Sequence, residues 1–117
     1  MTDGVKTILY PCRDLAKGKA VFNALLGAEP IADAPYYVGW KVAGQDVGLV
    51  PSGHDQGMTG PVPYWHVDDI AAAVAALVAA GATVGEEARN VGGGRLVGTV
   101  KDADGNPIGL IQDPSGA

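Results

Sequence analysis

The chain has 117 residues, the size of one domain, and a chain of this length buries roughly two thirds of the surface it exposes when unfolded. With 47% hydrophobic and 18% charged residues, 18 glycines and 8 prolines, it is too apolar to be disordered and reads as a turn-rich folded domain. Thirteen acids against eight bases give a net charge of -5; the bases are scattered, so no stretch neutralises a run of phosphates, and neither nucleic acid nor an anionic membrane is an expected partner. A small neutral or cationic ligand suits this charge better.

The opening residues lead into a short apolar run broken at Pro11, too short for a signal-peptide core or a membrane span. Cys12 is the single cysteine, which excludes an internal disulfide or a zinc site of several thiolates; a buried, inert thiol is the simpler reading. The expectation is a soluble, cytoplasmic protein.

In chain order, VKTILYPCRD is an apolar strand closing on Asp14, whose carboxylate is placed to cap a helix. Leu15, Phe22, Leu25 and Leu26 form the apolar stripe of that helix, and Gly27 ends it as a left-handed cap. Strand-like runs follow around Glu29 to Ile31, from Tyr36 to Val42, and in GQDVGLV from Gly44 to Val50. A glycine-rich connection, Ser52 to Gly60, leads to a second copy of the same pattern.

In that copy PVPYWHVDD closes on Asp69, Ile70, Val74, Leu77 and Val78 form the stripe, and Gly81 is the cap. Strand-like runs at Thr83 to Glu87 and Leu96 to Lys101 precede GNPIGLI, whose Gly109 falls on Gly48 of the first copy. The expected fold is α+β: two βαβββ modules in one chain forming a groove between two mixed or antiparallel sheets. One domain over residues 1–117 is expected, with a first module of about 1–51, a linker at 52–60 and a second module of about 61–113.

The free sheet faces are where function is expected. Alternation puts Val62, Tyr64 and His66 on one face and Trp65 and Val67 on the other, so if Val67 seats the second helix, His66 and Tyr64 point to the groove. Tyr36, Val38, Trp40 and Val42 share a face, but alternation does not say which. Core is the simpler reading for Val38 and Val42; Tyr36 and Trp40 suit the wall of an apolar pocket equally well.

His66 is the titratable group of most interest, as a base, acid, metal ligand or hydrogen-bonding anchor. His54, beside Asp55, reads as a loop residue. Two histidines and several carboxylates suggest a two-histidine, one-carboxylate iron site, but no spacing brings them onto one element. NVGGGRLVG lacks the Gly-Lys-Ser/Thr ending of a phosphate loop and reads as a hairpin. KDADGN begins like a calcium loop but lacks the closing glutamate, and also reads as a hairpin.

The duplicated unit, the aspartate opening each helix and DADGNPIGLIQDP near the end together resemble the vicinal oxygen chelate superfamily, which includes glyoxalase I, extradiol dioxygenases, fosfomycin-resistance enzymes and bleomycin-binding proteins. The resemblance covers nearly the whole chain and implies fold more than reaction. Metal-dependent members typically carry a histidine early in each opening strand and a carboxylate in each closing strand. The corresponding positions here are Thr7, Val62, Gly48 and Gly109, a set with too few donors for a divalent ion.

The resemblance therefore implies the branch that sequesters a small molecule without metal, with Gly48 and Gly109 leaving room for a planar or apolar guest. The expected function is a metal-free small-molecule-binding protein with no cofactor, in which Tyr36, Trp40 and Tyr64 offer ring surface and His66 a directional hydrogen bond. The alternative is a superfamily enzyme of lyase, isomerase or dioxygenase type that uses His66 as a base or a nonstandard metal set such as His66 with His54. A third reading is an accessory or dimerisation module whose groove is filled by its own side chains. A homodimer is the expected assembly.

Overall fold

The structure is a computed structural model that describes residues 2–114. The chain divides into two compact units. One spans Lys6–Val62; the other takes Pro63 onward together with the opening residues through Val5.

The first unit contains β1 (Thr2–Pro11, from Lys6), α1 (Leu15–Leu26), β2 (Ala32–Ala34), β3 (Tyr37–Val42) and β4 (Gln45–Val50). Its sheet has the order β2-β3-β4-β1, with β4 antiparallel to β3 and parallel to β1. Asp14 caps α1 as its sequence position predicts: its carboxylate accepts from the Lys17 amide at 3.1 Å, satisfying one of the N–H groups that the first turn leaves open. Gly27 closes the helix at φ 64°, in the left-handed region.

The helix seats Leu15, Phe22 and Leu26 against Val38, Trp40 and Leu49 of the sheet. Leu25, expected in this stripe, is 72% exposed. At 3.6 residues per turn it lies about 80° round the helix from the line through Leu15, Phe22 and Leu26, too far to reach the sheet. Gly18, one turn after Leu15, faces the chain beneath the helix, and a Cβ there would stand 2.5 Å from Cys12 Sγ and 3.1 Å from Leu49 Cδ1. Its missing side chain lets α1 lie close to the strands.

The strand expected at Glu29 to Ile31 falls instead at Ala32–Ala34. Pro30 has no N–H to give, and pairing begins only where the Ile31 amide donates to the Gly39 carbonyl at 2.8 Å.

The second unit contains β5 (Val62–Val67, from Pro63), α2 (Ile70–Ala79), β6 (Thr83–Val84), β7 (Arg89–Asn90), β8 (Leu96–Lys101) and β9 (Pro107–Gln112). Here β9 lies between β5, to which it is parallel, and β8, to which it is antiparallel. The short strands β6 and β7 both pair with β8. They replace the single run expected at Thr83 to Glu87: the Glu86 amide donates to the Thr99 hydroxyl at 2.8 Å rather than to a backbone carbonyl, which interrupts the ladder.

Asp69 caps α2 through the Ala72 amide at 3.1 Å. The helix ends at Ala80, and Gly81 follows at φ 115°. Val67, Ile70, Ala73, Val100 and Leu110 form the core of this unit, with Val74 and Leu77 packed against it. Val78 is half-exposed for the same angular reason as Leu25. Each unit thus repeats strand, helix and strands, and each has its core between helix and sheet. No helix among the described residues is long and apolar enough to cross a membrane.

Candidate functional site

Val67 packs under α2, so the alternation of β5 turns Tyr64 and His66 to the sheet face opposite the helix. The register extends that face: Tyr64 pairs with Gly109 and His66 with Ile111, and Thr99 lies across from Gly109 on β8. Asp113 continues the parity of Gly109 and Ile111 two residues further on.

At one end of this face His66 Nδ1 lies 3.1 Å from Asp113 Oδ2, and Arg95 Nε donates to Asp113 Oδ1 at 2.8 Å. His66 is 8% exposed, and its carbonyl oxygen accepts from the Thr2 hydroxyl at 2.8 Å. Partial burial opposes ionisation of Asp113, but the charge and hydrogen bond of Arg95, with the contact from His66, outweigh it and hold the carboxyl below its ordinary value. The group is an ionised carboxylate gripped from two sides.

Along the same face the Tyr64 ring lies on Gly109: a Cβ there would stand 2.7 Å from Tyr64 Cε2. Burial pushes the Tyr64 phenol above its ordinary value, the charge of Glu86 adds to this, and Arg89 opposes it. The phenol stays neutral, a donor and acceptor at once.

The first unit repeats the arrangement with other residues. Tyr37 lies over Gly39 and Gly48, where a Cβ would meet its Cε2 and Cε1 carbons respectively, each at 2.7 Å. The space expected above Gly48 and Gly109 is therefore filled by the chain's own tyrosine rings, because glycine in a strand lets a neighbouring ring settle onto the backbone. Thr7, buried, donates to Asp46 Oδ2 at 3.4 Å, and Lys41 Nζ lies 3.4 Å from Asp46 Oδ1.

The sequence-predicted residues fare differently. Tyr64 and His66 share a face, as their spacing required. Trp40 does not join a free face: it is 1% exposed, packs against Phe22, and donates from Nε1 to Asn23 Oδ1 at 2.9 Å. Strand alternation fits that outcome and the opposite one equally; Val38 and Leu49 beside it decide the matter, since the three together fill the space under α1. Tyr36, before β3, is 78% exposed, and its neighbour Tyr37 takes the place on the free face. A cleft of about 300 Å³ opens on the helix side of this unit between α1 and β2, crossed by the Lys19 to Asp33 ion pair of 2.8 Å.

Tyr37, Arg95 and Asp113 were not anticipated. The signal for Asp113 was its parity with Gly109; Tyr37 was hidden because neither face of β3 could be assigned.

The donor set does not fit a divalent ion. Of the four positions implied by the resemblance, Thr7 offers one hydroxyl already engaged with Asp46, Val62 is apolar, and Gly48 and Gly109 lie under rings. Among the described residues no group of three or more His, Cys, Asp or Glu side chains converges. His54 belongs to the first unit, where its Nδ1 is buried without a hydrogen-bond partner. The Asp102 loop is a hairpin, as its sequence implied: the Asp102 carboxylate accepts from Asn106 Nδ2 and from the Asp104 and Asn106 amides at 2.9 to 3.0 Å. Those bonds, the Asn106 side chain first, hold it below its ordinary value.

Comparison with known proteins agrees with this architecture. Residues 4–110 match the family model of the Glyoxalase/Bleomycin resistance protein/Dioxygenase superfamily. A superfamily member from Vibrio splendidus 12B01 shares 21% identity at a TM-score of 0.69, over 92% of this chain and 97% of that one. Methylmalonyl-CoA epimerase from Mycobacterium tuberculosis shares 16% identity at a TM-score of 0.75, over 97% and 89% of the two chains. A Legionella pneumophila protein described as an NAD-dependent benzaldehyde dehydrogenase shares 13% at 0.72, over 92% and 98%. At such identities these structures testify to the fold alone, and no curated protein sequence matches the chain. The match over residues 4–110, with a strand, helix and strands repeated in each unit, places the chain in the glyoxalase, bleomycin-resistance protein and dioxygenase superfamily.

Proposed function

We propose that this chain is a metal-free small-molecule-binding protein of its superfamily, which holds an aromatic or apolar ligand against the sheet faces opposite the helices. The observation that carries this reading is the replacement of donor side chains by rings: Tyr37 lies on Gly48 and Tyr64 on Gly109, where the resemblance implies carboxylates in metal-dependent members. Aromatic edges and faces suit a planar guest, each well-formed ring contact adding about 0.5–1.5 kcal/mol beyond its buried area. His66 contributes a directional hydrogen bond. In this reading Trp40 supports the sheet from behind and Tyr36 stands apart from the ligand.

Native mass spectrometry of the protein isolated from its own cells tests the proposal. The expected spectrum shows a homodimer retaining an organic mass and no metal. A stoichiometric metal ion, together with turnover that a chelator abolishes, overturns it.

One observation favours a second reading. The His66 and Asp113 pair has the form of an imidazole base held by a carboxylate, the arrangement of an enzyme that moves a proton on a bound carbonyl compound. Proton exchange into a bound carbonyl acid that is lost in His66→Asn would favour this reading over passive binding.

A further inference from the structure

We infer that Asp113 is a positioning residue for His66 that sets its tautomer: it holds the proton on Nδ1, so that Nε2 is the atom bearing the lone pair. The inference rests on the proposed role of His66 as the polar anchor, and deepens it by naming what that anchor asks of a ligand.

The argument begins with Asp113. An ionised carboxylate accepts hydrogen bonds and cannot donate them. Its Oδ1 receives the Arg95 Nε–H at 2.8 Å, and its Oδ2 lies 3.1 Å from His66 Nδ1. Two acceptors cannot share a hydrogen bond without a proton between them, so Nδ1 is the donor. A neutral imidazole with its proton on Nδ1 has an unprotonated Nε2.

Arg95 makes the arrangement rigid. Three glycines of positive φ, Gly92 to Gly94, turn the chain between β7 and β8. The Arg95 amide donates back to the Gly92 carbonyl at 3.1 Å, fixing Arg95 at the foot of that hairpin. Asp113 follows β9, so carboxylate and guanidinium are carried by adjacent antiparallel strands, Leu96 pairing with Gln112. On the other side, the bond from the Thr2 hydroxyl to the His66 carbonyl steadies the backbone under the imidazole.

The consequence is a rule for recognition. Any group that the neutral imidazole engages through Nε2 must bring a hydrogen, so in that form hydroxyl, amide N–H and ammonium groups are accepted and bare carbonyl or ether oxygens are not. The ligand class becomes an aromatic or apolar molecule carrying a donor, of which a phenol is the simplest.

The tautomer is read directly by long-range proton–nitrogen correlation spectra of the ¹⁵N-labelled, ligand-free protein in mildly alkaline buffer. The expected His66 pattern is a protonated Nδ1 and an unprotonated Nε2. In Asp113→Asn, Arg95 retains its acceptor on the amide oxygen, which turns the amide NH₂ toward His66; Nδ1 then becomes the acceptor, and the pattern reverses. Arg95→Met, which leaves the carboxylate in place, keeps the wild-type pattern with a broader signal. A wild-type His66 protonated on Nε2, or an Asp113→Asn spectrum identical to wild type, overturns the inference. Because these spectra need no ligand, they stand or fall separately from the binding proposal, which native mass spectrometry decides.

Discussion

The ring of Tyr64 lies on the backbone of Gly109, its partner across the parallel pairing of β5 and β9. The contact exists only because position 109 has no Cβ; one built there would stand 2.7 Å from Tyr64 Cε2. Gly109→Ala is therefore expected to destabilise the protein by about 1–3 kcal/mol, the usual cost of overpacking. The penalty should shrink when Tyr64→Ala is present as well, because the two side chains contend for one space. Urea unfolding of both single variants and the double variant measures the coupling, and strictly additive losses contradict the contact.

Trp40 offers a second test, since its indole is spent on the fold. Trp40→Phe keeps most of the apolar contact with Phe22 but removes the donor to Asn23 Oδ1. The expected loss is about 1–2 kcal/mol, the cost of leaving one acceptor without its donor. Retention of the organic ligand in native mass spectra should be unchanged. A variant of normal stability that no longer retains ligand would put Trp40 back at the site.

Tyr64 should ionise above the ordinary tyrosine value. Burial and the charge of Glu86 raise its folded value above the ordinary 10.0, with Arg89 opposing. A group raised on folding contributes stability that is complete below its unfolded value and disappears as pH rises through the folded one. An alkaline absorbance titration at the phenolate band should show a step above the ordinary tyrosine range, and Tyr64→Phe should remove that step. Glu86→Gln should bring the step to lower pH and Arg89→Met should carry it higher.

The turn between β3 and β4 contains a correctable strain. Ala43 has φ 53° and Gly44 φ 77°, both in the left-handed region that a two-residue hairpin turn demands. Glycine accepts this freely and alanine does not. Ala43 is exposed and makes no core contact that asparagine would disturb, so Ala43→Asn is expected to raise stability by about 1 kcal/mol. A lower thermal midpoint than wild type would contradict this.

The sequence by itself determined the repeat and its punctuation. Asp14 and Asp69 cap the helices, Gly27 closes the first, and the Asp102 to Asn106 hairpin forms where its residue types place it, because caps and turns are settled by groups within a few residues of one another. The parity of β5 was legible too: once Val67 belongs to the helix side, Tyr64 and His66 must face away from it. Only the tertiary structure decided which face of β3 meets its helix, and hence that Trp40 is core while Tyr37 lies on Gly48. Alternation divides a strand into two sets without naming the one that is buried; that depends on volumes supplied by Phe22, Leu26 and Leu49 from elsewhere in the chain. The meeting of His66 with Asp113 was beyond local reading for the same reason. The two are separated by 47 positions and are brought together by the register of β5 on β9, which no neighbouring residue of either one encodes.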